Sequence, residues 1–402
     1  MDQLGRYKLQ GIIGEGAMSQ VYKAYDPVLQ RTLAIKVLRP EFAEDKERLL
    51  FAGIDVNNPS DSGAFMHLNH SGVHCKTNRE GLEVMDIKAA LEEFDGLPDY
   101  YWQLVDKDKD EFTKATYDNL HGGYFIRAKA GAKITEPVQS CLFIDKAGIS
   151  QNVHNIVVVE EGAELHIISG CATAHGAKES AHLGISEFYV HKGGKLTFTM
   201  IHNWSVDTAV RPRSAGVLEE DAVFLSNYVL LKPVKDLQMY PQITMAGENS
   251  VARFNSVVVA PKGAHLDMGN RVIMDAPNTR CEIIARTIAA GGTIINRGHI
   301  GAYHVPSKGH LECQGLILGD GRIWAIPELD GTAEGVELSH EASVGKIAQD
   351  EIEYLMARGM DEDEATSTIV RGFLNTDIMG LPEKLQKEID KQIEELQNSE
   401  AM

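Results

Sequence analysis

The chain carries five cysteines, at positions 75, 141, 171, 281 and 313. A thiolate is both a nucleophile and a ligand for soft metals. Their odd number and the lack of any C-x-x-C pair fit neither a disulfide framework nor a zinc ribbon, so all five read as reduced thiols. In Leu311-Glu312-Cys313-Gln314-Gly315-Leu316-Ile317-Leu318-Gly319, strict alternation puts Cys313 on the strand face of Leu311 and Ile317, pointing into an apolar interior. Burial alone makes it an ordinary core thiol, because cysteine is among the most buried residue types. Cys171, in Ser169-Gly170-Cys171-Ala172, reads as an exposed turn cysteine. His121, His154, His175, His182 and His191 show no H-x-x-x-H or H-E-x-x-H spacing on a helix, and so read as surface or strand residues. Met200, Met245, Met268 and Met274 lack the paired M-x-x-M spacing of a copper site and read as core packing.

A second candidate for chemistry lies at the start. Gly14-Glu15-Gly16-Ala17-Met18-Ser19-Gln20-Val21, followed by Ala34-Ile35-Lys36-Val37-Leu38, resembles the nucleotide-covering loop and phosphate-pairing lysine of the protein kinases. Gly14 and Gly16 would let backbone N–H groups approach phosphates, and Lys36 would supply a point charge. The third glycine of that motif is Ser19 here. Phosphoryl transfer also needs a catalytic aspartate and metal-binding residues on a helical lobe, and no H-R-D or D-F-G follows. Residues 1–45 therefore read as a truncated kinase amino-terminal lobe without phosphotransfer, and Gly14 and Gly16 as the makings of a hairpin turn.

The elements that must position the thiols come next. Residues 46–122 form a lead-in segment, in which Ala89, Leu91, Phe94, Tyr101, Leu104 and Val105 recur at roughly helical spacing, interrupted at Gly96 and Pro98. That predicts two short helices. From 123 to 330, β-branched runs such as Ile156–Val159 and Val257–Val259 alternate with glycine turns at Gly162, Gly193–Gly194 and Gly263. Strand, glycine turn, strand at intervals of tens of residues is what stacked coils of a parallel β-helix require; a β-sandwich could use the same pattern. Residues 331–402 read as a helical domain. Val344, Ile347, Ile352, Leu355 and Met356 form one stripe that stops at Gly359, Asp361 and Glu364 make a capping box before Ala365–Leu374, and a third helix is expected over Pro382–Leu396.

Composition narrows the function. With 58 acidic against 39 basic residues and a formal charge of −19, the chain repels phosphate backbones and anionic membrane surfaces, which argues against nucleic acid as a partner. No apolar run approaches the roughly 20 residues that span a bilayer, and no basic-then-apolar leader opens the sequence; a cytoplasmic location is expected.

Three motifs then converge: Ser339-His340-Glu341-Ala342-Ser343-Val344-Gly345-Lys346-Ile347, Tyr354-Leu355-Met356-Ala357-Arg358-Gly359, and Ile369-Val370-Arg371-Gly372-Phe373-Leu374. Together they closely resemble the SufB/SufD scaffold family of iron–sulfur cluster assembly, over about residues 51–375. The resemblance implies a right-handed parallel β-helix with flanking helices, and a non-enzymatic scaffold on which nascent clusters form. Cys313 matches the SufB-type cysteine of the nascent cluster, Glu341 the assembly-site glutamate, and His340 the neighbouring histidine shared with the SufD side. Cys171 matches the glycine-cysteine motif of the thiol that accepts sulfur, and Trp204 a tryptophan on the sulfur path. His202 stands where SufB has glutamine, and Phe143 and Asp145 where it carries arginine and asparagine, departures that bear on the internal sulfur route.

The partners so implied are a SufC-like ABC ATPase on the carboxy-terminal helices, a cysteine desulfurase system as sulfur donor, and a second copy of the chain or a SufB/SufD paralogue. The cofactor is a transient iron–sulfur cluster, with ATP on the ATPase only, since G-x-x-x-x-G-K-[ST] is absent; participation of a flavin is left open. Because one chain carries Cys313, Glu341 and His340 together, a homodimer could complete a site at a two-fold boundary. Two other classes compete. A protein kinase lacks its catalytic loop, and a carbohydrate-active β-helix enzyme would need aspartates clustered on adjacent coils, which the sequence does not show.

Overall fold

In the computed structural model, residues 3–374 are described except 5, 16–18, 29, 39–45, 53–61, 78, 175 and 233, together with 387 and 391. From Tyr124 to Gly345 the chain winds into a parallel β-solenoid of about eight turns. Two long sheets wall it. The ten-stranded sheet starts at the hairpin of Gly63–Leu68 and Ser71–Thr77 and ends at Glu337–Gly345; the eleven-stranded sheet starts at Leu82–Asp86 and ends at Arg322–Gly331. Successive coils pair in parallel, and residues in register run Cys171, His202, Leu230, Val258, Thr287, Gly315, so that a coil takes 28 to 31 residues.

Because a strand alternates its side chains, each coil sends every second residue inward. Leu165, Phe198, Phe224, Phe254, Ile283 and Leu311 from one wall meet Val157, Phe188, Ile243, Met268 and Ile294 from the other in a continuous apolar core. The ten-stranded sheet is apolar on its outer side as well, where Ile168, Ile201, Val229, Val257, Ile288 and Leu316 pack with Val370 and Leu374 at the helix Glu362–Phe373. Burial on both faces explains why its strands read as near-continuous hydrophobic runs.

The lead-in segment covers the start of the other sheet. Helix Ile87–Glu93, a 3-10 turn at Leu97–Asp99 and helix Glu111–Asp118 are present, and Ile87, Ala90 and Leu97 pack on Phe125, Ile156 and Val158. The segment is fastened by one carboxylate. Glu187, fully buried, accepts from the backbone N–H of Trp102 (2.8 Å), Leu104 (2.6 Å) and Val105 (2.9 Å) and lies 2.8 Å from His154 Nε2.

Strand structure continues to Gly345, and the first carboxy-terminal helix is Gln349–Met356, so the helical part begins later than residue 331. Val344 therefore belongs to a strand and not to the helical stripe; a lone apolar residue fits either period. The capping box of Asp361 with Glu364 is present at the next helix. The expected helix over Pro382–Leu396 lies outside the described residues apart from positions 387 and 391. Among the described residues no helix is long and apolar enough to cross a membrane.

At the amino terminus the finding is a four-stranded antiparallel sheet; strands alone do not support a kinase-like lobe. Gly14 and Lys36 lie on the two strands that flank Ser19–Asp26, and both pair with Val21; Gly16 lies outside the described residues.

Candidate functional site

The last coils of the ten-stranded sheet hold three of the expected residues. Strand Ser307–Leu318 pairs with Glu337–Gly345, matching Leu311 with His340, Glu312 with Glu341 and Cys313 with Ala342. Alternation then decides direction. Leu311, Cys313 and Leu338 belong to the inner face, and His340 goes with them, whereas Glu341 is turned to the outer face beside Glu312. Cys313 is buried (1% exposed). Burial, followed by the nearby Glu312 charge, pushes its thiol up to about 11, so the thiol is protonated at neutral pH until a cation or a proton acceptor arrives. His340 Nε2 is buried with no hydrogen-bond partner among the described residues, leaving one imidazole nitrogen uncommitted on the thiol's face. Outside, Glu312 Oε1 accepts from Gln314 Nε2 (2.6 Å), and His310 Nδ1 meets the Ser339 hydroxyl at 2.9 Å. Glu341 faces this polar ladder.

Cys171 sits inside strand Glu164–Thr173 and is buried (2% exposed), so it is a wall residue and not an exposed turn cysteine. Its surroundings are rich in hydroxyls. Ser169 hydrogen-bonds the thiol and Cys141 lies near it; burial, the largest influence, holds the thiol well above its ordinary range. Tyr124 and Tyr228 lie close enough that the thiol's charge raises both phenols, on top of a larger effect of burial. His202 is the register partner of Cys171 on the next coil, and the Tyr228 hydroxyl stands 3.0 Å from its Nδ1. Trp204 packs its ring against His182 (4.7 Å between centroids) and His202 (5.6 Å).

Five coil steps at about 4.8 Å put Cys313 about 24 Å from Cys171 along the axis. Cys313 heads a register column through Ala285, Ser256, Tyr228 and Met200 to Ser169, two residues before Cys171. Trp204, two residues beyond His202, falls on the other side of the Cys171 position from that column. Across the middle, Phe198, Phe188, Phe224 and Phe254 contact one another in that order at 4.9 to 5.8 Å, beside a cavity of about 40 Å³ lined also by Met200 and Tyr228. That space holds no more than about three waters.

Sequence reasoning missed Tyr228 and Tyr124 around the thiol, because their nearness exists only once the coil length is known, and it missed Ser169, for which the shared inward parity with Cys171 was the available signal. Cys75, in the starting hairpin, donates its S–H to the Val84 carbonyl and stands apart from both thiol sites. Among the described residues no group of three or more His, Cys, Asp or Glu is arranged as a ready metal site.

Comparison with known proteins places this geometry. Residues 142–373 match the family described as the SUF system FeS cluster assembly, SufBD core domain. An iron–sulfur cluster assembly SufBD family protein of Archaeoglobus fulgidus is 49% identical over 355 residues, covering 88% of this chain and 95% of that protein. One from Methanothermobacter thermautotrophicus is 43% identical over 357 residues, 87% of each chain. The iron–sulfur cluster assembly protein SufB of Bacillus subtilis is 28% identical over 325 residues, 78% of this chain and 68% of that protein. With more than half its length inside the family domain and close relatives along nearly all of it, the chain belongs to the SufBD family of iron–sulfur cluster assembly proteins.

Proposed function

We propose that this protein is a scaffold of the SUF type, on which iron and sulfide, both cargo, are gathered into a nascent cluster at the open end of the solenoid. The observation that carries the reading is the pair of inward side chains, Cys313 and His340, on the last two coils of the ten-stranded sheet. A thiolate and an imidazole are ligand types that iron accepts, and Glu341, turned to the outer face of the same strand as His340, supplies an oxygen ligand at the boundary with a second copy.

A second copy completes the site. Strands Arg322–Gly331 and Glu337–Gly345 each end their sheet, and Trp324, Ile326, Leu329 and Val344 on them are exposed. Unpaired edges with apolar side chains favour pairing with another chain, and a two-fold axis would face one Cys313 coil to another. A SufB/SufD paralogue would fit the same edge. Helices Gln349–Met356 and Glu362–Phe373 serve as the platform for a SufC-like ABC ATPase, whose nucleotide-driven movement opens the buried thiol to iron. Cys171 accepts sulfur from a cysteine desulfurase system.

The test is anaerobic reconstitution with ferrous iron and sulfide, followed by visible absorption and oligomeric state. The parent should develop the charge-transfer bands of a cluster as a dimer; Cys313→Ala and Glu341→Ala should lose them, and Cys75→Ala should keep them. Equal chromophores in all four proteins would overturn the assignment.

A further inference from the structure

Cys171 presents a chemical problem that the family assignment leaves open. A thiol that takes up sulfur must lose its proton, yet this one is buried in the wall of the solenoid. The side chains around it are Ser169 and Cys141 on its own sheet, Tyr124 from the opposite wall, and Tyr228 and His202 from the next coils. His182 lies behind His202, their rings both against Trp204. None of these is a permanent cation, so no fixed charge draws the proton off.

We propose that Tyr228 and His202 form a proton relay that removes the Cys171 proton as the sulfur accepts a sulfane atom from a persulfide or polysulfide donor. The inference rests on the reading of Cys171 as the sulfur acceptor. Its geometry is local and specific. His202 stands beside Cys171 in register, the Tyr228 hydroxyl is 3.0 Å from His202 Nδ1, and the two rings meet edge to face at 5.2 Å and 88°. With the hydroxyl donating to Nδ1, the neutral imidazole keeps its own proton on Nε2.

The step balances without any redox partner. The thiol proton passes to the Tyr228 oxygen while the phenolic proton passes to His202 Nδ1. The Cys171 thiolate attacks the terminal sulfur of R–S–SH, an S–S bond forms to Cys171, the S–S bond of the donor breaks, and R–S⁻ leaves. That leaving thiolate is the base to which the His202 proton returns, giving Cys171–S–SH and R–SH. Burial holds the His202 imidazole well below its ordinary range, so the imidazolium exists only while the anion is beside it, and the relay resets when the donor departs. Ser169, already bonded to the thiol, supports the anion from the other side.

The experiment loads the full-length protein with inorganic tetrasulfide and follows persulfide on Cys171 by alkylation and peptide mass spectrometry from pH 6 to 9. Variants are Tyr228→Phe, which removes one oxygen, His202→Gln, which keeps polar volume but takes up no proton, and Cys171→Ser as the blank. Both relay variants should load about a hundredfold more slowly at pH 7, the usual size of a general-base contribution, and recover as hydroxide replaces the relay towards pH 9. A merely structural role predicts slower or faster loading with an unchanged pH profile. A folded Tyr228→Phe or His202→Gln protein with the parental rate and profile overturns the relay alone. Failure of the parent to load Cys171 at all overturns the relay and the sulfur-acceptor role together. Cluster formation from free sulfide, which bypasses Cys171, should be unaffected by either relay variant, so failure of the Cys313 assignment shows separately.

Discussion

Glu312 and Glu341 are register partners on the outer face of the last two coils. Two like charges directly opposite each other in a sheet oppose folding by a few tenths of a kcal/mol to about 1 kcal/mol. Glu341→Gln should therefore raise the unfolding midpoint slightly in metal-free protein, while costing the iron-dependent chromophore. Thermal melts with and without ferrous iron separate the two effects: the parent should gain stability with iron and the variant should not. A variant less stable than the parent in the absence of iron would show that the pair is not repulsive.

Glu187 joins the helical lead-in segment to the solenoid through three backbone N–H donors and His154. Removal of a buried, hydrogen-bonded carboxylate strands those donors and costs about 3–5 kcal/mol. Glu187→Ala should lower urea stability by that amount and release residues 97–118 to proteolysis while the coils from 123 onward stay protected. Cleavage spread evenly along the chain would contradict this.

Acid should unfold the Cys171 end of the solenoid first. Burial, the largest cause for each, brings His67 down to about 4 and His182 to about 3, against about 6.5 in an unfolded chain. Between those values the unfolded state binds more protons than the folded one, so stability rises with pH across the window and is lost as pH falls. Each buried imidazole contributes a slope of about 1.4 kcal/mol per pH unit below 6.5. Replacing His182 by Gln should flatten the stability profile between pH 4 and 6.5 and leave it unchanged near pH 8, as urea titrations will show.

The inward thiol at Cys313 was legible from alternation alone, because burial alternates regularly from Ser307 to Gly315 in its strand. The β-helix was less so. Its coils vary between 28 and 31 residues, a jitter that lets Cys171 and His202 stand side by side without any fixed spacing in the sequence. Val344 failed for a different reason: at the boundary between a strand and a helix one apolar residue satisfies both periods. The same alternation separated Glu341 from Cys313, a consequence that motif matching along the chain does not contain. Tyr228 had no sequence signal, since its role depends on reaching across one coil step to His202.

Gly170 tests the packing behind Cys171. A Cβ there would stand 2.1 Å from the Ala52 carbonyl oxygen and 3.0 Å from its Cβ, so Gly170→Ala must push away Ala52 and the end of helix Lys46–Phe51. That helix is held to the wall by Asn203 Nδ2 donating to the Arg48 carbonyl (2.9 Å) and by an Arg48 guanidinium N–H donating to the Trp204 carbonyl (3.4 Å), bonds that the displacement strains. Overpacking of this kind costs about 1–3 kcal/mol. Gly372, in the last described helix, has open space at the same position, and Gly372→Ala should stabilise by about 0.5–1 kcal/mol through helix propensity. Opposite shifts of the two melting curves, with faster alkylation of Cys171 only in Gly170→Ala, are the expected result; equal alkylation would mean that the helix does not shield the thiol.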